Sequence, residues 1–232
     1  MQRHRVFIAI NLPENIKNRL VKYQEKWLDL PVRWTRKNNI HITLVFLGNI
    51  IDEELMEIFK VVENVASKHE FFSLNLTRIC YGPPQKMPPR MVWVQGEQSE
   101  ELGKLQKDLE SSFFTPAPES PALKDGGEWK SSWAFGARFQ PNRKEKLQPL
   151  GWRGFTSPLR SHLEPESRPY SPHITLGRIK EWEFRKIEPE ERPDINEEIH
   201  LTFPVESIEL MESKPERGGP SYTVLNSSKL KE

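Results

Sequence analysis

The chain has 232 residues, enough for one full hydrophobic core and close to the size at which single cores begin to divide. Its 34 basic and 33 acidic residues nearly cancel, which excludes a protein that coats nucleic acid or membrane through bulk charge. The single cysteine, Cys80, excludes an internal disulfide, and the opening MQRHRVFIAINLPENIK has too short an apolar run for a signal peptide or membrane span, so a cytoplasmic location is expected.

In chain order, the apolar run at 6–12 reads as a strand ended by Pro13, and Ile16, Leu20, Tyr23 and Trp27 then recur at helical spacing. Pro31 stops that helix, and VRWT and IHITLVFLG resume strand character. Asp52 is the expected cap of a second helix whose apolar face is Leu55, Ile58, Phe59, Val62 and Val65. The strands FFSLNLTRICYG and RMVWVQGE follow, with Cys80 expected to be a buried packing residue. A third helix starts at Ser99 as cap and runs through Leu102, Leu105, Leu109 and Phe113.

From about Thr115 to Arg168 many prolines rule out a long helix, while Trp129, Trp133, Trp152 and several phenylalanines are too many aromatics for a solvated linker. An ordered insertion is expected there. Its basic residues outnumber its acidic ones and alternate with aromatics, which fits either single-stranded RNA binding or a packed surface excursion. HITLGRIK, a stretch of mixed charge, and the runs HLTFPVESIELMES and SYTVLNSSKL close the chain as a hairpin turning at Gly218, Gly219 and Pro220. The order of elements predicts an α+β fold of mainly antiparallel sheet, residues 1–232 forming one domain.

The chemistry centres on two identical tetrapeptides, His41-Ile42-Thr43-Leu44 and His173-Ile174-Thr175-Leu176. Side chains of a strand alternate faces, so each segment offers an imidazole and a hydroxyl on one side and an apolar pair for the core on the other. Were the two strands adjacent, two imidazoles and two hydroxyls would converge. That set suits a cyclic phosphodiester, whose opening needs a base for water, an acid for the leaving sugar oxygen, and donors for the non-bridging oxygens. Histidine titrates near pH ~6.5, so one ring can be neutral while the other is charged. A single HITL is ordinary strand sequence; two copies with one polar face favour a site. The scheme requires neither metal nor cofactor, and no HExxH, CxxC or carboxylate cluster accompanies the histidines.

With these residues in view, the chain resembles the two-histidine phosphoesterases, and within them the RNA 2′,3′-cyclic phosphodiesterases, also called 2′-5′ RNA ligases. Their hallmark pair of His-x-Thr-x motifs is met at His41 to Leu44 and His173 to Leu176, and RVFIAINLP, RMVWVQGE, RPYSPHITLGRIK and VESIELMESKPERGGPSYTVL look like family segments. The resemblance implies two similar α+β lobes around a cleft. It also implies His41 as proton donor to the leaving 3′ oxygen and His173 as acceptor from water, leaving a 2′-phosphate. Arg178 matches a phosphate-binding position, its alternative being a solvated strand end. Phe46 matches a base-stacking aromatic, yet an odd spacing from His41 turns it toward the core in any strand without a bulge. Trp34 and Arg5 are weaker candidates, a tryptophan beside a strand being more often core and an arginine at the chain start usually solvated.

The 115–168 insertion departs from the family pattern. The expected partners are RNA 3′ ends bearing a cyclic phosphate, tRNA fragments among them, with no membrane partner and a monomeric chain. Alternatives on the same site are 2′-5′ RNA ligation and hydrolysis of a small cyclic nucleotide; an alternative of another class is a non-catalytic module that binds RNA ends.

Overall fold

The computed structural model describes residues 2–83, 88–114 and 170–232, so the insertion expected at about 115–168 lies outside the described residues. The fold is α+β. Among the described residues nine strands form one antiparallel sheet: β1 (Arg3–Asn11), β2 (Val32–Trp34), β3 (His41–Ile51), β4 (Phe72–Gly82), β5 (Met91–Gly96), β6 (Ile174–Ile179), β7 (Asn196–Val205), β8 (Ser207–Lys214) and β9 (Ser221–Lys229). The α-helices among the described residues are α1 (Glu14–Gln24), α2 (Asp52–Ala66), α3 (Glu100–Phe114) and the single turn α4 (Glu181–Phe184).

Strand order is β7-β4-β5-β6-β3-β1-β8-β9, with β2 added beside β6. The sheet therefore divides into two four-stranded halves of matching layout, β3-β1-β8-β9 and β6-β5-β4-β7, which meet where β3 pairs with β6 at Ile42 and Ile174. Antiparallel pairing through two identical tetrapeptides gives this seam a local pseudo-two-fold. One face of the sheet is apolar and lies in a common core with the helices: Ile16 and Leu20 of α1, Ile58, Val62 and Val65 of α2, and Leu102, Leu105, Leu109 and Phe113 of α3 are all buried there. Each large aliphatic side chain withdrawn from water contributes about 1.5–3 kcal/mol, and these stripes recur at the spacing that set the helix expectations.

Caps and turns differ in detail. Ser99 caps α3 as expected, its Oγ accepting from Leu102 N at 3.0 Å. Asp52 is not the cap of α2: it stands inside the first turn, where its carboxylate binds His4 Nε2 at 2.8 Å, and Glu54 instead accepts from Ile51 N at 3.0 Å. A carboxylate in the first turn still favours the helix through the macrodipole. The run HLTFPVESIELMES is not one strand. It breaks at Glu206, β7 pairing with β4 at one edge and β8 with β1 in the other half of the sheet, and Val205 and Ile208 on either side of the break are both buried in the core. The terminal hairpin β8–β9 forms as expected, with Gly218 and Gly219 at positive φ in its turn. Cys80 is half-buried rather than buried, and that burial pushes its thiol up.

Candidate active site

The pair Ile42–Ile174 is where the site begins. Both isoleucines point into the core, at 3% and 0% exposure. The residues on either side, His41, Thr43, His173 and Thr175, consequently turn to the opposite face, and all four are half-buried there. Continuing the antiparallel register sets His41 across from Thr175 and Thr43 across from His173. The two imidazoles are close enough for the charge of one to act on the other.

Each histidine is tethered in the same way. His41 donates Nδ1–H to Asn39 O at 2.7 Å, and His173 donates Nδ1–H to Ser171 O at 2.8 Å. A carbonyl only accepts, so Nδ1 carries the hydrogen in both rings and Nε2 is the nitrogen left for chemistry. Nε2 of His41 is 2.9 Å from Thr43 Oγ1, which ties imidazole and hydroxyl into one unit. Asn39 is held in turn by the terminal hairpin: its Nδ2 donates to Pro220 O at 2.6 Å and its Oδ1 accepts from Tyr222 N at 3.3 Å. The Tyr170 hydroxyl donates to Thr43 O at 3.3 Å, bridging the strand of one motif to the approach of the other.

The surroundings of the rings differ. Phe7, Ala9 and Met211 form a small apolar cluster on this face with Tyr222 packed against it, and His41 lies against it, 5.0 Å from the Phe7 ring and 5.2 Å from the Tyr222 ring. Burial pushes His41 down to about 4, opposed by the Asn39 hydrogen bond and reinforced by the charges of Lys17 and His173. Lys17 is itself buried, with Nζ donating to Asn11 Oδ1 at 2.7 Å, and Asn11 is the cross-strand partner of His41. His173 stacks on Trp93, ring centroids 3.9 Å apart and planes inclined by 23°.

Phe46 and Arg178 reach this face by a shared irregularity. In β3 the register with β1 steps from Val45 to Thr43 opposite Ile8 and Ala9, leaving Leu44 as an extra residue. In β6 the register with β5 steps from Gly177 to Thr175 opposite Val92 and Trp93, leaving Leu176 as the extra residue. A bulge shifts the alternation by one, so the residue five beyond each histidine returns to the histidine's side. Phe46 is 56% exposed, 5.9 Å from Phe7. Arg178 is exposed across from Arg33 of β2, and the charges of Arg178, Arg5 and Arg33 all act on the Tyr222 hydroxyl, whose burial pushes it up. Arg5 therefore belongs to a cationic rim, whereas Trp34 is partly buried on the core and lies over Gly177.

The two segments at the centre of this face are also shared with known proteins. A model of LigT-like phosphoesterases matches residues 10–93 and 152–222, which include both HITL segments. The chain belongs to the LigT-like phosphoesterases. Among curated relatives, the RNA 2′,3′-cyclic phosphodiesterase of Methanocaldococcus jannaschii is 26% identical over 95% of this chain and 98% of its own length. That of Thermus thermophilus is 25% identical over 98% of this chain and 90% of its own. Solved LigT-like folds agree with the architecture. The Thermus thermophilus protein TT0787 superposes with a TM-score of 0.67 at 24% identity over 97% of both chains, and Escherichia coli LigT, crystallised with 3′-AMP, with 0.64 at 20% over the whole of both.

Sequence reasoning missed Trp93, Asn39, Lys17 and Tyr222. Trp93 sits in a strand already recognised, but nothing in RMVWVQGE indicates that its partner across the sheet is Thr175. Among the described residues no three His, Cys, Asp or Glu side chains are grouped to hold a metal, and no helix is long and apolar enough to cross a membrane.

Proposed function

We propose that this LigT-like phosphoesterase opens terminal 2′,3′-cyclic phosphates of RNA, in the cytoplasm and as a monomer, to leave a 2′-phosphomonoester. The observation that carries the reading is the β3–β6 pair, which sets two Nε2 atoms and two threonine hydroxyls on one face beside a cationic rim. The names of the curated relatives supply the substrate class. Water attacks phosphorus and gives a proton to Nε2 of His173. The bond from phosphorus to the 3′ oxygen breaks, and that oxygen takes a proton from Nε2 of His41. Burial makes a charged His41 a strong acid, and the anionic phosphate offsets the desolvation of its charged form.

Thr43 and Thr175 donate to the non-bridging oxygens, Arg178 binds the phosphate, and exposed Phe46 stacks on the terminal base. Purified protein with an oligonucleotide ending in a 2′,3′-cyclic phosphate, in the presence of chelator, tests the reading: a 2′-phosphate end is expected. Binding without turnover would favour a module that only holds RNA ends.

A further inference from the structure

The pseudo-two-fold sets Ala9 and Trp93 in equivalent places. Ala9 faces Thr43 across β1–β3, and Trp93 faces Thr175 across β5–β6. One histidine thus has a methyl group beside its threonine, the other an indole, and the indole is the one stacked flat on the ring, that of His173 at 3.9 Å.

Two further observations show that the indole is held there at a cost. A Cβ at Gly82 would come within 2.1 Å of the Trp93 ring, so the absence of a side chain at Gly82 makes room for it. The indole Nε1 is buried with no hydrogen-bond partner among the described residues, an unfavourable arrangement that phenylalanine would avoid. What tryptophan adds over phenylalanine is its face, the strongest aromatic partner for a cation.

We propose that Trp93 is a positioning residue whose indole face fixes the plane of His173 and stabilises the imidazolium that His173 becomes as it takes the proton from water. The inference rests on the hydrolytic reading above. The Ser171 carbonyl fixes which nitrogen reacts, and the indole favours the charged product of that reaction. The charges of His41 and His173 disfavour one another, so the indole works against that mutual repulsion. An interaction that grows as charge develops raises kcat and leaves KM little changed.

The test is a series of increasingly fluorinated tryptophans installed at position 93 alone, which withdraw electron density from the indole face at nearly constant shape. Expected is a stepwise fall in kcat on a cyclic-phosphate oligonucleotide, reaching roughly 5- to 30-fold, the rate equivalent of a partly desolvated cation–π contact. KM should stay within about twofold. In substrate-free protein the NMR titration midpoint of His173 should move to lower pH along the series, and Trp93→Phe should retain more activity than Trp93→Leu. A His173 titration and a kcat that stay flat across the series overturn the proposal, as does a rate loss without movement of the titration. Movement of the titration in a protein that opens no cyclic phosphate upholds the stack and sinks the hydrolytic reading alone.

Discussion

Phe46 and Arg178 occupy equivalent positions in the two halves: each follows its histidine by five residues, and each is turned to the histidine's face by an extra leucine, Leu44 in β3 and Leu176 in β6. One half therefore offers an aromatic ring where the other offers a guanidinium. Phe46→Ala is expected to raise KM for an oligonucleotide by roughly 5- to 100-fold, the range for one lost base stack. The melting temperature should hardly change, since the ring is 56% exposed. An unchanged KM would place the terminal base elsewhere.

Replacing either His41 or His173 by alanine is expected to lower kcat/KM by roughly 10²- to 10⁴-fold, the usual contribution of a general acid or base. The double variant should lose little more than the worse single one if, as proposed, acid and base act in one step. Fully multiplicative losses would mean that the two rings serve separate steps.

Under the proposed mechanism the rate should be bell-shaped in pH, since only one protonation state of the histidine pair, His41 charged and His173 neutral, would be productive. A profile without an acid limb would remove the opposed roles. Burial of His41, which lowers it to about 4, also affects stability: the unfolded chain binds the proton from about pH 6.5 downward while the folded chain resists it until near 4. Stability should accordingly fall as pH drops through that window. His41→Gln should flatten that fall, as measured by denaturant midpoints.

His4 titrates with the opposite sign. Hydrogen bonds to Glu212 at 2.7 Å and Asp52 at 2.8 Å raise it, so its contribution is complete below the unfolded value near pH ~6.5 and is lost as pH rises through the raised folded value. His4→Gln should therefore melt a few degrees below the parent at about pH 6 and approach it at about pH 9. A difference that does not depend on pH would reduce the His4 contacts to packing.

Asn39→Ala should lower kcat more than it alters KM, because the asparagine side chain holds the hairpin residues Pro220 and Tyr222 while its carbonyl orients His41. A loss of roughly tenfold is expected from a slightly misplaced acid. Equal changes in kcat and KM would point to a general loosening instead.

Much of this site is legible before any coordinates. HITL states by alternation which atoms face together, and α3 follows from Leu102, Leu105, Leu109 and Phe113 with Ser99 as cap. What stays hidden depends on partners distant in the chain. The side on which Phe46 stands is settled by a register step against Ile8 and Ala9 that HITLVF does not encode. The break at Glu206 is equally silent, since both flanking segments are good strand sequence and differ only in the neighbours they find. Asp52 looks like a cap until His4 is seen to claim it.

Strand β1 lies between β3, which follows it closely in the chain, and β8, which begins only at Ser207. During synthesis the β1–β3 pair, joined through α1 and β2, is therefore complete long before its other neighbour leaves the ribosome. Until then the backbone of Val6 to Ala9 is an open edge, and Phe7 and Ala9 lack the cover of Met211 and Tyr222. Such an edge is a template for pairing with another chain. A truncation before Ser207 should thus yield aggregate rather than a weakened enzyme, and the last strands act as the protein's own protection against self-association.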